Sequence, residues 1–350
     1  MSMLRVALFA GIAIASFVAA AKAETMDQLY AKAKAEKSLT LWGGGPAAPW
    51  EAVAARFKER FPGIDVAIEG GFSNVFDVKI DAMIKAKSMQ VDLAVLQTVQ
   101  DYVRWKKEGA LDAFKPEGFD KIDAHWKDKD GAYFGMSVNA HTYAYNSQLV
   151  KAADVPKSAL DFLKPQFMGK VVSAYPQDDD ATLYDFNSIT KKYGWGYWDK
   201  YMANKPVFIQ GHLGVARSIS AGDTLVTLDT IASISLAEKT AGKPHEIAFS
   251  KVDPLPIWAV TGAVFKGAPH PNAAKLFISW YLSKEFQSTL APGTWPVRSD
   301  AKPPAGQKPI LSYKVVNDYR EFLTNDKQLV ELRARFAKLV GPITHPGGVK

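Results

Sequence analysis

The 350-residue sequence contains no cysteine. This absence excludes a disulfide framework, a thiol nucleophile and a lipid anchor attached to cysteine. The sequence also lacks the Gly-x-Ser-x-Gly elbow of hydrolases, a Gly-x-x-x-x-Gly-Lys phosphate loop and a zinc-finger spacing. Its six histidines form no pair at metal-ligand spacing, so we expect surface or capping roles and predict no bound metal or other cofactor; they stand at positions 125, 141, 212, 245, 270 and 345.

Charge of one sign is nowhere concentrated. The formal net charge is +7, but the lysines are scattered among acidic residues along the whole chain. Such a pattern is typical of a solvated surface, and we predict no nucleic-acid partner. Aromatic residues make up 12% of the chain, and the nine tryptophans are spread over its length, so we expect most of them in the core.

The first 23 residues have the three-part layout of a secretory signal peptide. Arg5 precedes an apolar run from Val6 to Ala20, and the small-x-small tripeptide Ala21-Lys22-Ala23 follows. The run is shorter than the roughly 18 residues that span a bilayer, which favours a cleaved signal over a membrane anchor. We expect cleavage after Ala23 and a mature protein that works outside the cytoplasm.

Strands alternate with helices through the first part of the mature chain. Ser38 to Trp42 is predicted to be a strand that ends in a glycine loop, and a helix follows from Pro49. Two more strands are predicted at Ile64 to Ile68 and Val91 to Leu96, with a helix from Val75 to Lys87 between them. This order is typical of a parallel sheet with helical crossovers, so the predicted fold class is α/β.

The middle of the chain repeats the alternation. Two strands, Tyr133 to Val138 and His141 to Tyr145, are predicted with an interruption near Asn139-Ala140, where we expect the chain to leave a first lobe. Lys170 to Ala174 and Asp223 to Leu228 are predicted as strands of a second lobe. The mature chain is longer than one core usually organises, which also favours two lobes.

The order of these segments resembles the periplasmic solute-binding proteins of ABC importers, and within them the ferric-iron, polyamine and organophosphate group. The strand, glycine loop and helix after Ser38 carry this resemblance, together with the segments Phe61 to Val66, Val91 to Val95 and Glu108 to Leu111. Tyr143 to Asn146, Met168 to Val172 and Gly267 to Ala274 continue it in the same order. The resemblance covers nearly the whole mature chain.

The resemblance implies a periplasmic receptor with two α/β lobes that close on a ligand about a two-strand hinge. It places residues 24–139 and 254–350 in lobe 1 and residues 140–253 in an inserted lobe 2. It also implies a monomer without catalysis, whose partners are a small polar solute and a membrane permease. We expect the solute to be an amine, a zwitterion or an organic anion.

Ligands of open α/β sheets bind at the carboxyl ends of strands. In lobe 1, Trp42 could form one wall of the site, while Gly43 and Gly44 bring backbone N–H groups close to the ligand. Two polar pairs, Ser73-Asn74 and Gln97-Thr98, stand at helix starts, where they could contact the ligand or cap the helices.

In the inserted lobe, Tyr175 is followed by Asp178, Asp179 and Asp180, which could hold an amine, cap a helix or remain solvated. Asp229 and Thr230 are predicted to follow a strand and to accept hydrogen bonds from an amine or hydroxyl. On the predicted hinge strand, Tyr143 and Tyr145 alternate, so only one of them can face the cleft, and Tyr143 is the candidate.

Two alternatives remain at this point. Iron-binding relatives use two adjacent tyrosines in the region corresponding to Asp229 to Ser233, with a histidine and a glutamate from the other lobe. Here that region has no tyrosine and the glycine loop has no histidine, so iron coordination is disfavoured. An exported lyase or hydrolase is the rival class, because catalytic triads are spatial arrangements that sequence spacing does not reveal.

Overall fold

The structure is a computed structural model that describes residues 24–346. The predicted signal peptide, residues 1–23, lies outside the described residues. Within residues 24–346, no helix has the length and apolar character needed to cross a membrane.

The described chain is a mixed α/β protein, as predicted, with ten strands and twelve α-helices between residues 24 and 346. The strands are β1 Ser38–Gly44, β2 Asp65–Gly71, β3 Leu93–Leu96, β4 Phe134–Asn146, β5 Val172–Ala174, β6 Val207–Ile209, β7 Val226–Ile231, β8 His245–Ala248, β9 Leu255–Val264 and β10 Val315–Val316. The helices are α1 Met26–Glu36, α2 Ala47–Arg60, α3 Ser73–Ala86, α4 Val99–Lys107, α5 Asp180–Tyr193, α6 Gly196–Ala203, α7 His212–Ala221, α8 Ala232–Thr240, α9 Pro271–Tyr281, α10 Lys284–Gln287, α11 Tyr319–Leu323 and α12 Asp326–Val340.

One sheet runs through both parts of the molecule in the order β2-β1-β3-β9-β4-β7, with β8 paired to β4 and β10 to β9. The strands β2, β1 and β3 are parallel, because helices α2 and α3 carry the chain back between them. The pairs β3–β9, β9–β4 and β4–β7 are antiparallel. The two strands β5 and β6 form a separate parallel pair.

Strand β4 is continuous, so the predicted interruption near Asn139-Ala140 is wrong. What changes there is the partner. Residues 134–140 pair with β9, whereas residues from His141 onward pair with β7 and β8. Nearly every side chain of β4 is buried, before this point as well as after it, so the burial of the strand gives no reason for the ladder to break there.

Two apolar cores flank the sheet. In one, Phe57 of α2 packs against Phe277 and Trp280 of α9, with ring centroids 5.1 and 5.5 Å away. In the other, Phe186 of α5 stacks on Trp198 of α6 at 4.2 Å. Both rings of that pair also meet Phe336 of α12. The C-terminal helix therefore packs on elements of predicted lobe 2, although the predicted division assigns all residues after 254 to lobe 1.

Local signals in the sequence explain several element boundaries. Thr25 and Gln28 form a capping box at the start of α1, and the hydroxyl of Ser283 accepts a hydrogen bond from the backbone N–H of Phe286. The glycine segment after Trp42 differs from the loop that the sequence predicts. Gly43 and Gly44 extend β1 and pair with Gly70 and Gly71, so only Gly45, at φ +85°, turns the chain into α2.

Candidate functional site

A cavity of about 500 Å³ lies between the carboxyl ends of β1 and β3 on one side and the starts of α7 and α8 on the other. Ser137 and Asn139 of β4 form part of its lining, as do Trp50 and Tyr281. The cavity thus lies where strand ends and helix starts meet, as expected for a binding site in an open α/β sheet.

Four helices begin at this cavity without a side-chain cap. The residues that precede α2, α3, α7 and α8 all line it, and none makes a side-chain hydrogen bond to the first turn of its helix; they are Pro46, Phe72, Gly211 and Ile231. First-turn N–H groups have no partner inside their own helix, and the helix dipole adds partial positive charge there. Four such ends around one cavity favour an anionic ligand.

The charged side chains of the lining also favour an anionic ligand. Arg56 of α2 is held in place because its Nη2 donates to Thr289 Oγ1 at 2.8 Å and its guanidinium lies 4.5 Å from the ring centre of Phe286. Asp179 is the single acidic residue of the described lining, and its Oδ1 already accepts hydrogen bonds from the backbone N–H groups of Ala181 and Thr182. Asp179 therefore caps α5, one of the alternatives predicted for the Asp178 to Asp180 run.

A buried carboxylate with two imidazoles lies beside the cavity. Asp229 Oδ1 is 3.1 Å from His212 Nε2 and 3.2 Å from His141 Nδ1, and all three side chains are buried. Burial alone would lower the pKa of His212, but the carboxylates of Asp229 and Asp179 raise it to about 9. Burial would raise the pKa of Asp229, but the two imidazoles hold it below its usual range.

These residues are also the group that could hold a metal ion. Their ligand atoms lie within 4.8 Å of one another, an arrangement found once among residues 24–346.

The sequence-based assignment of all six histidines to surface or capping roles is wrong. His141, His212 and His245 are buried, and long-range contacts that residue spacing does not reveal bring the first two together.

Four of the predicted site residues line the cavity: Gly44, Ser73, Gln97 and Asp179. Gln97 and Ser73 are joined, because the backbone N–H of Gln97 donates to Ser73 Oγ at 3.2 Å. Ser73 does not cap α3, since the capping position is taken by Phe72. Whether these residues contact a ligand stays a prediction.

The structure places Trp42 and Gly43 away from the lining. Trp42 stacks on Phe76 of α3 at 4.8 Å, so the predicted wall of the site is a packing contact between β1 and α3. Gly43 is needed for another reason. A Cβ atom at this position would come within 2.3 Å of the Trp50 ring, so the glycine makes room for a tryptophan that does line the cavity.

Asn74 and Thr98 also lie outside the lining. The Asn74 side chain donates to the carbonyl oxygen of Asp178 at 3.3 Å. Thr98 is buried at the start of α4, without a side-chain cap bond. Asp178 uses its Oδ2 to accept a hydrogen bond from Gln210 Nε2 at 2.8 Å. The Asn74 bond ties α3 to the segment before α5, and the Gln210 bond ties that segment to the residues before α7.

The two predicted tyrosines are buried structural residues outside the lining. Tyr143 donates its hydroxyl hydrogen bond to Asp253 Oδ2 at 2.6 Å and packs against Phe162. The hydroxyl of Tyr175 accepts a hydrogen bond from the backbone N–H of Thr344 at 3.1 Å. The prediction that Tyr143 faces the cleft is wrong, because Ser137 and Asn139 line the cavity whereas Tyr143, farther along β4, is buried against Phe162 and Asp253.

Asp229 and Thr230 lie within β7, which continues to Ile231, and not after it as predicted. Both side chains are fully buried. Thr230 Oγ1 bonds with Ser235 Oγ at 2.8 Å, and Asp229 faces the two imidazoles. Neither residue is in the cavity lining.

Sequence reasoning missed Trp50, Arg56 and His212. A signal for Arg56 exists, since the spacing of Pro49, Val53 and Arg56 places them on one face of α2, and all three line the cavity. His212 has no comparable signal. It follows Gly211 at the start of a helix whose position beside β7 depends on the tertiary fold.

Comparison with known proteins identifies the family. The family profile described as bacterial extracellular solute-binding protein matches residues 52–311, more than half of the chain. The chain belongs to this family. The assignment confirms the resemblance predicted from the order of segments.

Two curated proteins are similar to about half of this chain. A “Putative 2-aminoethylphosphonate-binding periplasmic protein” of Salmonella typhimurium is 31% identical over 190 residues, 50% of this chain and 55% of the relative. A “Fe(3+)-binding periplasmic protein” of Serratia marcescens is 24% identical over 177 residues, 49% of this chain and 52% of the relative. The chain thus spans about half the length of the curated relatives it matches. Both relatives are named as periplasmic binding proteins.

Two solved structures share the fold of this chain. Iron-bound HitA of Pseudomonas aeruginosa superposes with a TM-score of 0.69 at 19% identity, covering 85% of this chain and 99% of that one. AfuA of Actinobacillus pleuropneumoniae, solved with exogenous fructose-6-phosphate, gives 0.72 at 19% identity and covers 87% and 99%. At this identity the likeness shows the fold alone, and it confirms the predicted two-lobed α/β architecture.

Proposed function

We propose that this solute-binding protein is the periplasmic receptor of an ABC importer and that its solute is a small organic anion or a zwitterion bound through its anionic group. The observation that carries the choice of solute is the convergence of four uncapped helix starts on one cavity beside Arg56. Phosphonate, phosphate and carboxylate groups all accept hydrogen bonds from such N–H groups.

The lining disfavours a purely cationic amine. Its acidic residue, Asp179, has one oxygen committed to the cap of α5, and its Oδ2 lies 3.7 Å from His212 Nδ1. Trp50, Phe72 and Tyr281 offer apolar surface for the carbon skeleton of the solute. The names of two similar proteins agree with this class, since one is assigned 2-aminoethylphosphonate and the other was solved with a sugar phosphate.

The predicted ferric-ion alternative finds no support in the lining. A paired-tyrosine site needs two phenol oxygens at one place, and Tyr281 is the single tyrosine among the described lining residues. Burial raises the pKa of Tyr281 to about 12, which further disfavours the phenolate that ferric iron requires.

In this proposal, uptake of the solute depends on closure of the cleft around it. Elements from residues 44–97 and from residues 211–234 face each other across the cavity, so a solute that touches both favours the closed form by differential affinity. The closed form then docks on the membrane permease and releases the solute. No chemical step on the solute is part of this cycle.

The test is a thermal-shift screen followed by calorimetry on ligand-stripped protein. The panel contains phosphonates, sugar phosphates and organic acids, with polyamines and ferric citrate as contrasting classes. A solute at 100 times its dissociation constant stabilises the fold by about 2.7 kcal/mol. We expect an anionic solute to raise the melting temperature, with saturable one-to-one binding and no conversion.

Arg56→Gln sharpens the test. Loss of a charge-assisted hydrogen bond should weaken anion binding by about 10- to 100-fold. Arg60→Gln is the matched control, because Arg60 lies on the same helix and outside the lining. A shift with polyamines alone, equal affinities for the two variants, or chemical turnover of a solute would contradict the proposal.

A further inference from the structure

The His141, His212 and Asp229 side chains come from three elements, β4, α7 and β7, and meet beside the solute cavity. Their exposed fractions are 2%, 4% and 0%. Burying an imidazole without a hydrogen-bond partner is costly. Yet neither ring nitrogen of His141 makes a hydrogen bond to any described residue, although Nδ1 lies 3.2 Å from Asp229 Oδ1. His141 Nδ1 thus lies close to the carboxylate, but the ring is not aligned for a hydrogen bond to it.

We propose that His141, His212 and Asp229 bind a divalent transition-metal ion of the zinc class. The donor set supports this choice of ion. Two imidazole nitrogens and one carboxylate oxygen are the ligands of catalytic and exchangeable zinc sites, whereas Mg²⁺ and Ca²⁺ prefer oxygen ligands alone.

The spacing fits such an ion. Zinc binds nitrogen and oxygen ligands at about 2.0–2.2 Å, which sets neighbouring ligand atoms roughly 3–3.5 Å apart. Asp229 Oδ1 already lies 3.1 Å from His212 Nε2 and 3.2 Å from His141 Nδ1. All three ligand atoms fall within 4.8 Å of one another, so one ion can reach them with small side-chain adjustments.

Surrounding groups hold the ligands in a suitable orientation. The backbone N–H of Ala174 donates to Asp229 Oδ2 at 2.9 Å and holds the carboxylate with Oδ1 near the imidazoles. Thr182 Oγ1 lies 3.2 Å from Oδ2, 3.3 Å from Oδ1 and 3.2 Å from His212 Nε2, so it contacts both ligand side chains. Asp179 Oδ2 lies 3.7 Å from His212 Nδ1, the nitrogen that does not face Asp229. A carboxylate behind a ligating histidine is a common feature of zinc sites and fixes the ring orientation.

The position of the proposed metal site determines how an ion reaches it and how a bound ion changes the charge of the solute cavity. His212 also lines the solute cavity, so an ion at this point can enter from the cleft and keeps an open coordination position on that side. A bound cation would add positive charge to a cavity already surrounded by helix starts. The proposal itself does not depend on the identity of the solute.

The experiment is zinc titration of chelator-treated, dialysed protein, followed by competition with a chromophoric chelator and by the visible spectrum of the Co²⁺-substituted protein. We expect one equivalent of Zn²⁺ to bind. His141→Phe keeps an aromatic ring against Trp258, which lies 4.8 Å from the His141 ring centre, and removes both ring nitrogens. This variant should fold and should bind Zn²⁺ at least about 10-fold more weakly, with loss of the Co²⁺ ligand-field bands.

His125→Gln is the matched control. His125 forms an exposed histidine–aspartate pair with Asp123 at 2.7 Å, the kind of surface site that binds zinc adventitiously. His141→Gln serves as a second test should the phenylalanine variant be unstable. Absence of stoichiometric zinc binding by the wild-type chain, unchanged affinity in both His141 variants, loss of the tight site in His125→Gln, or equal binding of Mg²⁺ would each overturn the proposal.

Discussion

The Asn74 side-chain amide donates a hydrogen bond to the carbonyl oxygen of Asp178 at 3.3 Å. The two residues belong to different predicted lobes, and this bond spans the gap between α3 and the segment before α5. It is therefore one of the contacts that can hold the cleft closed around a solute.

Asn74→Ala should weaken solute binding by about 2- to 10-fold, because one net hydrogen bond contributes about 0.5–1.5 kcal/mol. Calorimetry with the solute from the screen measures the change, and small-angle scattering should show a larger radius without solute. Val78→Ala, an exposed position on the same helix, is the control. Equal affinities for the two variants would show that this bond does not contribute to closure.

Gly43→Ala should destabilise the protein by about 1–3 kcal/mol, since the new methyl group overlaps the Trp50 ring. Displacement of Trp50 also reshapes the cavity, so solute affinity should fall. Gly196→Ala is the control, because a Cβ atom there meets nothing within 4 Å. Urea denaturation of both variants measures the effect. A stable Gly43→Ala protein with tighter binding would contradict this account of the glycine.

Tyr143→Phe should cost about 1–2 kcal/mol of stability and leave solute affinity unchanged. The hydroxyl lost by this substitution bonds to the buried Asp253 carboxylate and lies away from the cavity. Chemical denaturation and calorimetry separate the two quantities. An intact stability with a large loss of affinity would instead favour the role predicted for Tyr143 from the sequence.

Asp77 should make stability depend on pH. Burial, followed by the nearby Asp101 charge, raises its pKa from 3.8 to about 7. The Asp81 charge adds to this effect, and Arg104 forms its ion pairs with Asp81 and Asp101. The folded protein therefore holds this proton more tightly than the unfolded chain, and stability is lost as the pH rises from about 4 through about 7.

Asp77→Asn removes the ionisation. Allowing for solvent screening of this half-buried group, the variant should be about 1 kcal/mol more stable than wild type at pH 8. The advantage should vanish at pH 4, where both side chains are neutral. Thermal melts at the two pH values test this. An equal gain at both would assign it to packing, not to charge.

Much of the fold could be predicted because its signals are local. The alternation from Ser38 to Leu96 and the rule for strand ends together placed Gly44, Ser73 and Gln97 at the cavity. The orientation of Tyr143 could not be predicted, since alternation on a strand buried on both faces does not distinguish cleft from core. The His141–Asp229 contact could not be predicted either, because antiparallel pairing of β4 and β7 creates it across a long stretch of chain.

Strand β4 also sets the order in which the chain can fold. Its partner strands β7, β8 and β9 all follow it in sequence, so this buried 13-residue strand has no neighbouring strand to pair with until residues beyond Val226 are present. Pairings between distant parts of a chain form slowly, because loop-closure entropy is lost before the contacts are gained. Neither half of the sheet can complete its central strand alone, and the final assembly of both halves is expected to be a single late event.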